Sequence, residues 1–113
     1  MKTWTPPTPA EVERTLQEMV RRIVVGFHPE KVILFGSRAR GDAGPDSDID
    51  LLVVMDTDSR KQTTREIRMA LDAMGIPKDV VVISPEEFER FKNVVGTVAY
   101  PVHREGRVLY ARG

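Results

Sequence analysis

Three short apolar runs limit this chain more than any other feature: KVILF at Lys31–Phe35, DLLVVM at Asp50–Met55 and DVVVI at Asp79–Ile83. An unbroken apolar stretch of about five residues is too short for an all-round buried helix. It reads as a strand covered on both faces. Such a sheet needs helices to cover it, and the flanking segments supply them. Val12, Leu16, Met19, Val20, Ile23, Val24 and Phe27 fall on one helical stripe. The preceding TPAE reads as a capping box, with Thr8 as N-cap, Pro9 at the first helical position and Glu11 as the reciprocal acid. This helix should stop at Gly26–His28, ahead of Pro29.

A second helix is expected from Arg60 to Met74, capped within Thr57–Ser59, with Ile67, Ala70, Leu71 and Met74 on one face and Gly75 and Pro77 ending it. A third is expected from the capping box SPEE (Ser84, Pro85, Glu87) through Phe88, Phe91, Val94 or Val95, Val98 and Val102. Pro101 lies inside that pattern and predicts a kink or a break there. Gly106 closes the helix, and RVLY, Arg107–Tyr110, is a last short strand. The fold class is therefore α/β (α+β), a small mixed β-sheet packed with helices. The helix between the Asp50 and Asp79 strands makes those two parallel neighbours.

The chain has 113 residues, enough for one core and too few for two. Residues 1–8, rich in Pro and Thr, are expected to be a flexible lead-in, with Trp4 either packed back or frayed. Residues 9–113 then form a single domain. Without cysteine there are no disulfides or thiolate metal sites. Lys+Arg and Asp+Glu number 17 each, so the basic excess of a nucleic-acid binder is missing and nucleic acid is not the expected partner. No apolar run approaches the roughly 18 residues of a membrane span. The N-terminus lacks the apolar core of a secretory signal, which makes a cytoplasmic protein the expectation.

GSRARGDAGPDSDID, Gly36–Asp50, separates the first two strands and carries the chemistry. Gly36-Ser37 directly follows a buried strand, where a glycine admits close approach of backbone to ligand and successive N–H groups can nest an anion. Asp48 and Asp50 enter the next strand on one face, their Cα atoms about 6.5–7 Å apart, with Ile49 directed into the core between them. Like charges so placed call for a cation, and Mg²⁺ takes oxygen ligands of this kind. Asp79 opens the neighbouring strand and can complete a three-carboxylate cluster. Two metal ions about 3.5–4 Å apart can clamp the attacking and leaving oxygens of an in-line displacement. In that arrangement Gly36 and Ser37 grip the distal phosphates of a nucleoside triphosphate. Arg38 and Arg40 neutralise charge on the departing pyrophosphate.

With these residues the sequence resembles the minimal nucleotidyltransferases of the DNA polymerase beta-like superfamily. Their motif is Gly-Ser, ten residues, then Asp-x-Asp. Here Gly36-Ser37 is followed by ten residues, Arg38–Ser47, and then by Asp48-Ile49-Asp50. The likeness covers nearly the whole chain. It implies transfer of a nucleoside monophosphate, AMP from ATP or the equivalent from another triphosphate, to a hydroxyl with Mg²⁺ and release of pyrophosphate. Asp48 and Asp50 match the metal-binding pair. Asp79 matches the third acid, a metal ligand and general base.

Larger relatives carry extra domains that hold the acceptor. None is legible here, so the acceptor site is expected from a second copy or another protein. The resemblance points to the antitoxins of HEPN/MNT pairs, which silence a helical HEPN toxin by adding AMP to a tyrosine. Two alternatives stand beside it: a non-catalytic module that masks its partner sterically, and a small-molecule (antibiotic) nucleotidyltransferase built at a homodimer interface.

The remaining polar and aromatic features have plainer readings. His28 and His103 sit near helix C-termini, where a positive charge is favourable. RKQTTREIR is read as a solvated helix face, or otherwise a docking surface for an acidic partner. Phe88, Phe91 and Tyr100 are read as core, Tyr100 otherwise facing a base or a partner, and Val94–Val98 are read as core or otherwise as an apolar contact surface.

Overall fold

The computed structural model describes residues 5–112. Trp4 and half of the expected lead-in lie outside the described residues, and residues 5–8 form no regular element. Helix α1 spans Pro9–Phe27 and begins with the expected capping box, Thr8 accepting from the Glu11 amide and the Glu11 side chain returning to Thr8. It ends on His28 in the left-handed conformation, whose N–H donates to the Val24 carbonyl. His28 is thus a C-cap by its backbone.

Strand β1 (Lys31–Phe35), the four-residue helix α2 (Ser37–Arg40) and strand β2 (Ile49–Val54) follow. Helix α3 (Arg60–Leu71), capped by the Ser59 hydroxyl, passes through a short 3₁₀ turn, Asp72–Met74, into strand β3 (Lys78–Ile83). Helix α4 (Pro85–Phe91), helix α5 (Ala99–Glu105) and strand β4 (Arg107–Ala111) complete the chain. The sheet order is β3-β2-β1-β4, with β2 and β3 parallel and the other pairs antiparallel. The mixed sheet packed with helices is as expected, and strands β2 and β3 each begin one residue earlier than the apolar runs suggest.

Alternation along the strands divides the core in two. Val32, Leu34, Ile49, Leu51, Val53, Val80 and Val82 pack with Val12, Leu16, Met19 and Ile23 of α1 and with Ile67 and Leu71 of α3. Ile33, Leu52, Val54 and Ile83 pack on the other face with Phe88 of α4 and with Ala99 and Val102 of α5. Each such side chain taken out of water contributes about 1.5–3 kcal/mol, so the two layers rather than strand propensity set the register. Thr63, the buried polar residue of α3, shares a hydrogen bond with the Thr57 hydroxyl.

The C-terminal third breaks into two helices, one of the two expected outcomes, but not at Pro101. The break falls at residues 92–98, before Pro101, and contains Gly96 with φ +97°. Pro101 sits instead in the first turn of α5, where its missing N–H has no intrahelical acceptor to lose. In consequence Val94, Val95 and Val98, read above as core, are exposed, Val95 at 77%. Tyr100 moves to α5, half-buried beneath the Arg104 guanidinium, while His103 meets the Phe88 ring edge-on. At Ser84 only half of the expected capping box forms. The hydroxyl accepts from the Glu87 amide, but the Glu87 carboxylate is taken by Arg60 of α3.

Gly106 ends α5 for a packing reason. A Cβ there would overlap the Val102 carbonyl oxygen and stand 2.7 Å from Ile33 Cγ2. Gly106→Ala is expected to lower stability by about 1–3 kcal/mol, the usual cost of overpacking, read as a shifted midpoint with unchanged slope in urea.

Candidate active site

The edge of the sheet where β1 ends and β2 and β3 begin gathers the unusual residues. Phe35, the last residue of β1, pairs with Asp50 of β2, and Asp50 pairs in turn with Asp79 of β3. Ile49 is fully buried toward α1 and α3. Alternation therefore sends Asp50 to the opposite face, the side of α4 and α5. Asp79 precedes Val80, which faces α1 and α3, so it too belongs to the α4/α5 side. Asp50 and Asp79, one from each strand, thus share one face at one edge, and Asp48 stands one residue before β2 at the same edge. Asp50 is half-buried, whereas Asp48 and Asp79 are exposed.

Gly36 is the hinge of the site. Its φ of +76° and ψ of −160° lie in a region that is essentially reserved for glycine. A Cβ at this position would overlap Asp50 Oδ2, so the carboxylate lies directly against the backbone. The chain then turns through α2. The amides of Ala39 and Arg40 both donate to the Gly36 carbonyl, and those of Gly41 and Asp42 to the Ser37 carbonyl. The amides at the start of such a turn, those of Ser37 and Arg38, have no acceptor within it.

The two arginines part company. Arg38 Nε donates to the Ser47 carbonyl at 3.0 Å, which ties the loop down one residue before Asp48. The tight turn of that loop is closed by the Gly44 amide on the Ser47 hydroxyl at 2.9 Å. Arg40 pairs with Asp42 at 3.2 Å and with Glu105 of α5 at 3.7 Å, and its charge still acts weakly on Asp50. The contacts thus engage Arg40 with Asp42 and Glu105 and at least one bond of Arg38 with the residue before Asp48.

Burial first, then the Asp48 and Asp79 carboxylates, push the Asp50 carboxyl above its usual range, with Arg40 pulling the other way. Repulsion of this kind is what a cation would relieve. Asp48, Asp50 and Asp79 are the groups that could hold a hard divalent ion, and oxygen-only donors at a glycine cradle fit one. They are not gathered into a ready-made cluster: among the described residues no three metal-ligating side chains stand close enough to hold an ion. Asp79 is engaged outside the group. Its Oδ1 accepts from Arg68 of α3 at 2.5 Å and from the Val80 amide at 3.1 Å. The pattern RKQTTREIR gives no local sign of this contact, because Arg68 reaches Asp79 only through the packing of α3 against β3.

The sequence pattern of the nucleotidyltransferase domain family matches residues 12–103, which includes every residue of the site. A Methanocaldococcus jannaschii protein named as protein adenylyltransferase MJ0604 is 35% identical over 100 residues, 87% of this chain and 97% of its own length. A crystal structure from Sulfolobus solfataricus, described as a nucleotidyltransferase, superposes with a TM-score of 0.60 at 22% identity, covering 99% of this chain and 93% of that one. A crystal structure of the MntA-HpeT toxin–antitoxin superposes with a TM-score of 0.51 at 19% identity, covering 86% of this chain and 72% of that one. At these identities the two structures speak for the fold. The sequence match runs from α1 into α5 and so spans both strands that carry the acids. With it, the chain is shown to belong to the nucleotidyltransferase domain family.

Proposed function

We propose that this protein transfers AMP from ATP, with Mg²⁺, to a tyrosine hydroxyl of a helical HEPN toxin, and so acts as the antitoxin of a pair. The observation that carries the chemistry is the ladder at the sheet edge. Asp50 stands in register with Asp79, follows Asp48 by two residues and rests on the Gly36 backbone. The name of the M. jannaschii relative and the MntA-HpeT fold neighbour support the choice of a protein acceptor and a toxin partner.

In the reaction the acceptor oxygen attacks the α-phosphorus and the bond to pyrophosphate breaks. Asp48 and Asp50, with Asp79 once it is free, would hold magnesium. Magnesium when bound supplies neutralisation of the triphosphate and of charge developing on the leaving oxygen. The Ser37 hydroxyl and the amides of the Gly36–Ser37 bend donate to the distal phosphates. Arg40 balances charge on pyrophosphate, and Arg38 holds the loop that presents Asp48. Asp79 takes the hydroxyl proton. We place the reaction in the cytoplasm, where ATP and Mg²⁺ are supplied. No helix among the described residues is long and apolar enough to cross a membrane.

The test is transfer of label from α-labelled ATP to the co-purifying partner. Mg²⁺-dependent labelling that disappears in Asp48→Asn is expected. Failure to label the natural partner with any of the four nucleoside triphosphates would overturn the reading. One observation favours a second reading, in which the protein silences its partner by covering it. Val94, Val95 and Val98 form an exposed apolar group between α4 and α5. If masking suffices, an Asp48→Asn/Asp50→Asn double variant will protect cells from the partner as well as wild type does.

A further inference from the structure

Asp79 belongs by register and by face to the same edge as Asp50, yet its carboxylate is engaged elsewhere. Helix α3 packs on the α1 side of the sheet, opposite the acids. β3 is an edge strand, so Arg68 reaches past it to meet Asp79. Both the Arg68 guanidinium and the Val80 amide donate to the same oxygen, Oδ1. Both partners of the ion pair are about half exposed, Arg68 at 54% and Asp79 at 52%. An exposed pair of this kind is weak and exchangeable.

We propose that Arg68 is a positioning residue that holds the Asp79 carboxylate off the Asp48/Asp50 pair until a divalent cation displaces its guanidinium. The inference rests on the nucleotidyltransfer reading of the site. It accounts for three acids aligned on one edge that do not converge. It also gives α3 a part in loading the site: the guanidinium keeps a surplus negative charge neutralised while the site waits, then gives way to an ion of higher charge.

The test is Mn²⁺ binding followed by electron paramagnetic resonance, with and without α,β-methylene-ATP, at fixed ionic strength. Arg68→Gln is expected to tighten Mn²⁺ binding about 2–5-fold, the range an exposed ion pair can contribute. Arg68→Lys should stay near wild type. Arg65→Gln, an equal loss of charge one turn earlier on the same helix, should change binding by less than about 1.5-fold, since the bond to Asp79 comes from Arg68 and not from Arg65. Asp79→Asn should weaken binding, and adding Arg68→Gln to it should produce no further change.

Binding that requires Asp48 and Asp50 but is unmoved or weakened by Arg68→Gln would overturn the latch and leave the site intact. So would a tightening by Arg68→Gln that persists in the Asp79→Asn background, or one that Arg65→Gln reproduces. Binding that survives the Asp48→Asn/Asp50→Asn double variant would overturn the site reading itself, and the latch with it.

Discussion

Asp50→Asn is expected to cut nucleotidyl transfer by about a thousandfold or more while leaving the protein folded and more stable than wild type. The first effect follows from the proposed role. A carboxylate that holds the ion clamping the triphosphate supplies several kcal/mol of charge stabilisation, and each 1.36 kcal/mol is about tenfold in rate. The second follows from the electrostatics of the sheet edge. Burial raises the proton affinity of Asp50, and the Asp48 and Asp79 charges raise it further.

The folded form therefore binds a proton at Asp50 more tightly than the unfolded chain does. By linkage, stability falls as pH rises from the ordinary carboxylate range through the raised value, and the unfavourable contribution is complete above it. Asparagine keeps the shape and removes that slope. A gain of at most about 1 kcal/mol at neutral pH, since Asp50 stays partly exposed and screened by solvent, would raise the melting temperature by up to about 4 °C in a domain of 113 residues. Adding Mg²⁺ should raise the melting temperature of wild type and not of the variant. Thermal melts from pH 4 to 8 with and without Mg²⁺ read all of this. A variant that loses stability, with the wild-type pH slope intact, would show that Asp50 is not a repelled group.

Gly36→Ala is the second change of large effect, and here activity and stability fall together. A side chain at φ +76° and ψ −160° is strained by about 1–3 kcal/mol before any contact is considered. The added Cβ also overlaps Asp50 Oδ2, so the carboxylate must swing away or the bend must open. Either movement displaces a carboxylate of the proposed metal site by something near an ångström, a shift that can cost about a hundredfold in rate. The expected outcome is a denaturation midpoint lowered by an equivalent of about 2–4 kcal/mol, with transfer down about a hundredfold or more. The variant pair separates the causes. Gly36→Ala/Asp50→Ala should be less destabilised than the sum of the two single changes, because truncating Asp50 removes the atom that the new Cβ overlaps. Strict additivity would place the strain in the backbone alone.

The elements whose causes are local were legible. The Thr8–Glu11 capping box formed as read, because both partners lie within one turn. Ile49 and Asp50 took the faces that strand alternation assigns, Ile49 buried in the core and Asp50 against the Gly36 backbone. The crossover through α3 made β2 and β3 parallel, which brought Asp79 beside Asp50. The segment at 92–98 was misread because its valines keep helical spacing, while Gly96 breaks the backbone and no second layer is there to cover them.

What this sequence determined by itself is therefore a matter of spacing: which residues are strand and helix, and that a glycine bend and three acids share one edge. Tertiary packing decided which of those groups are free to act. Glu87 gives up its cap to Arg60, Arg38 turns to Ser47, and Arg68 takes Asp79. The physical reason is range. Periodicity and capping are set within a few residues, whereas a guanidinium at the end of a long side chain chooses among partners that only the folded chain brings within reach.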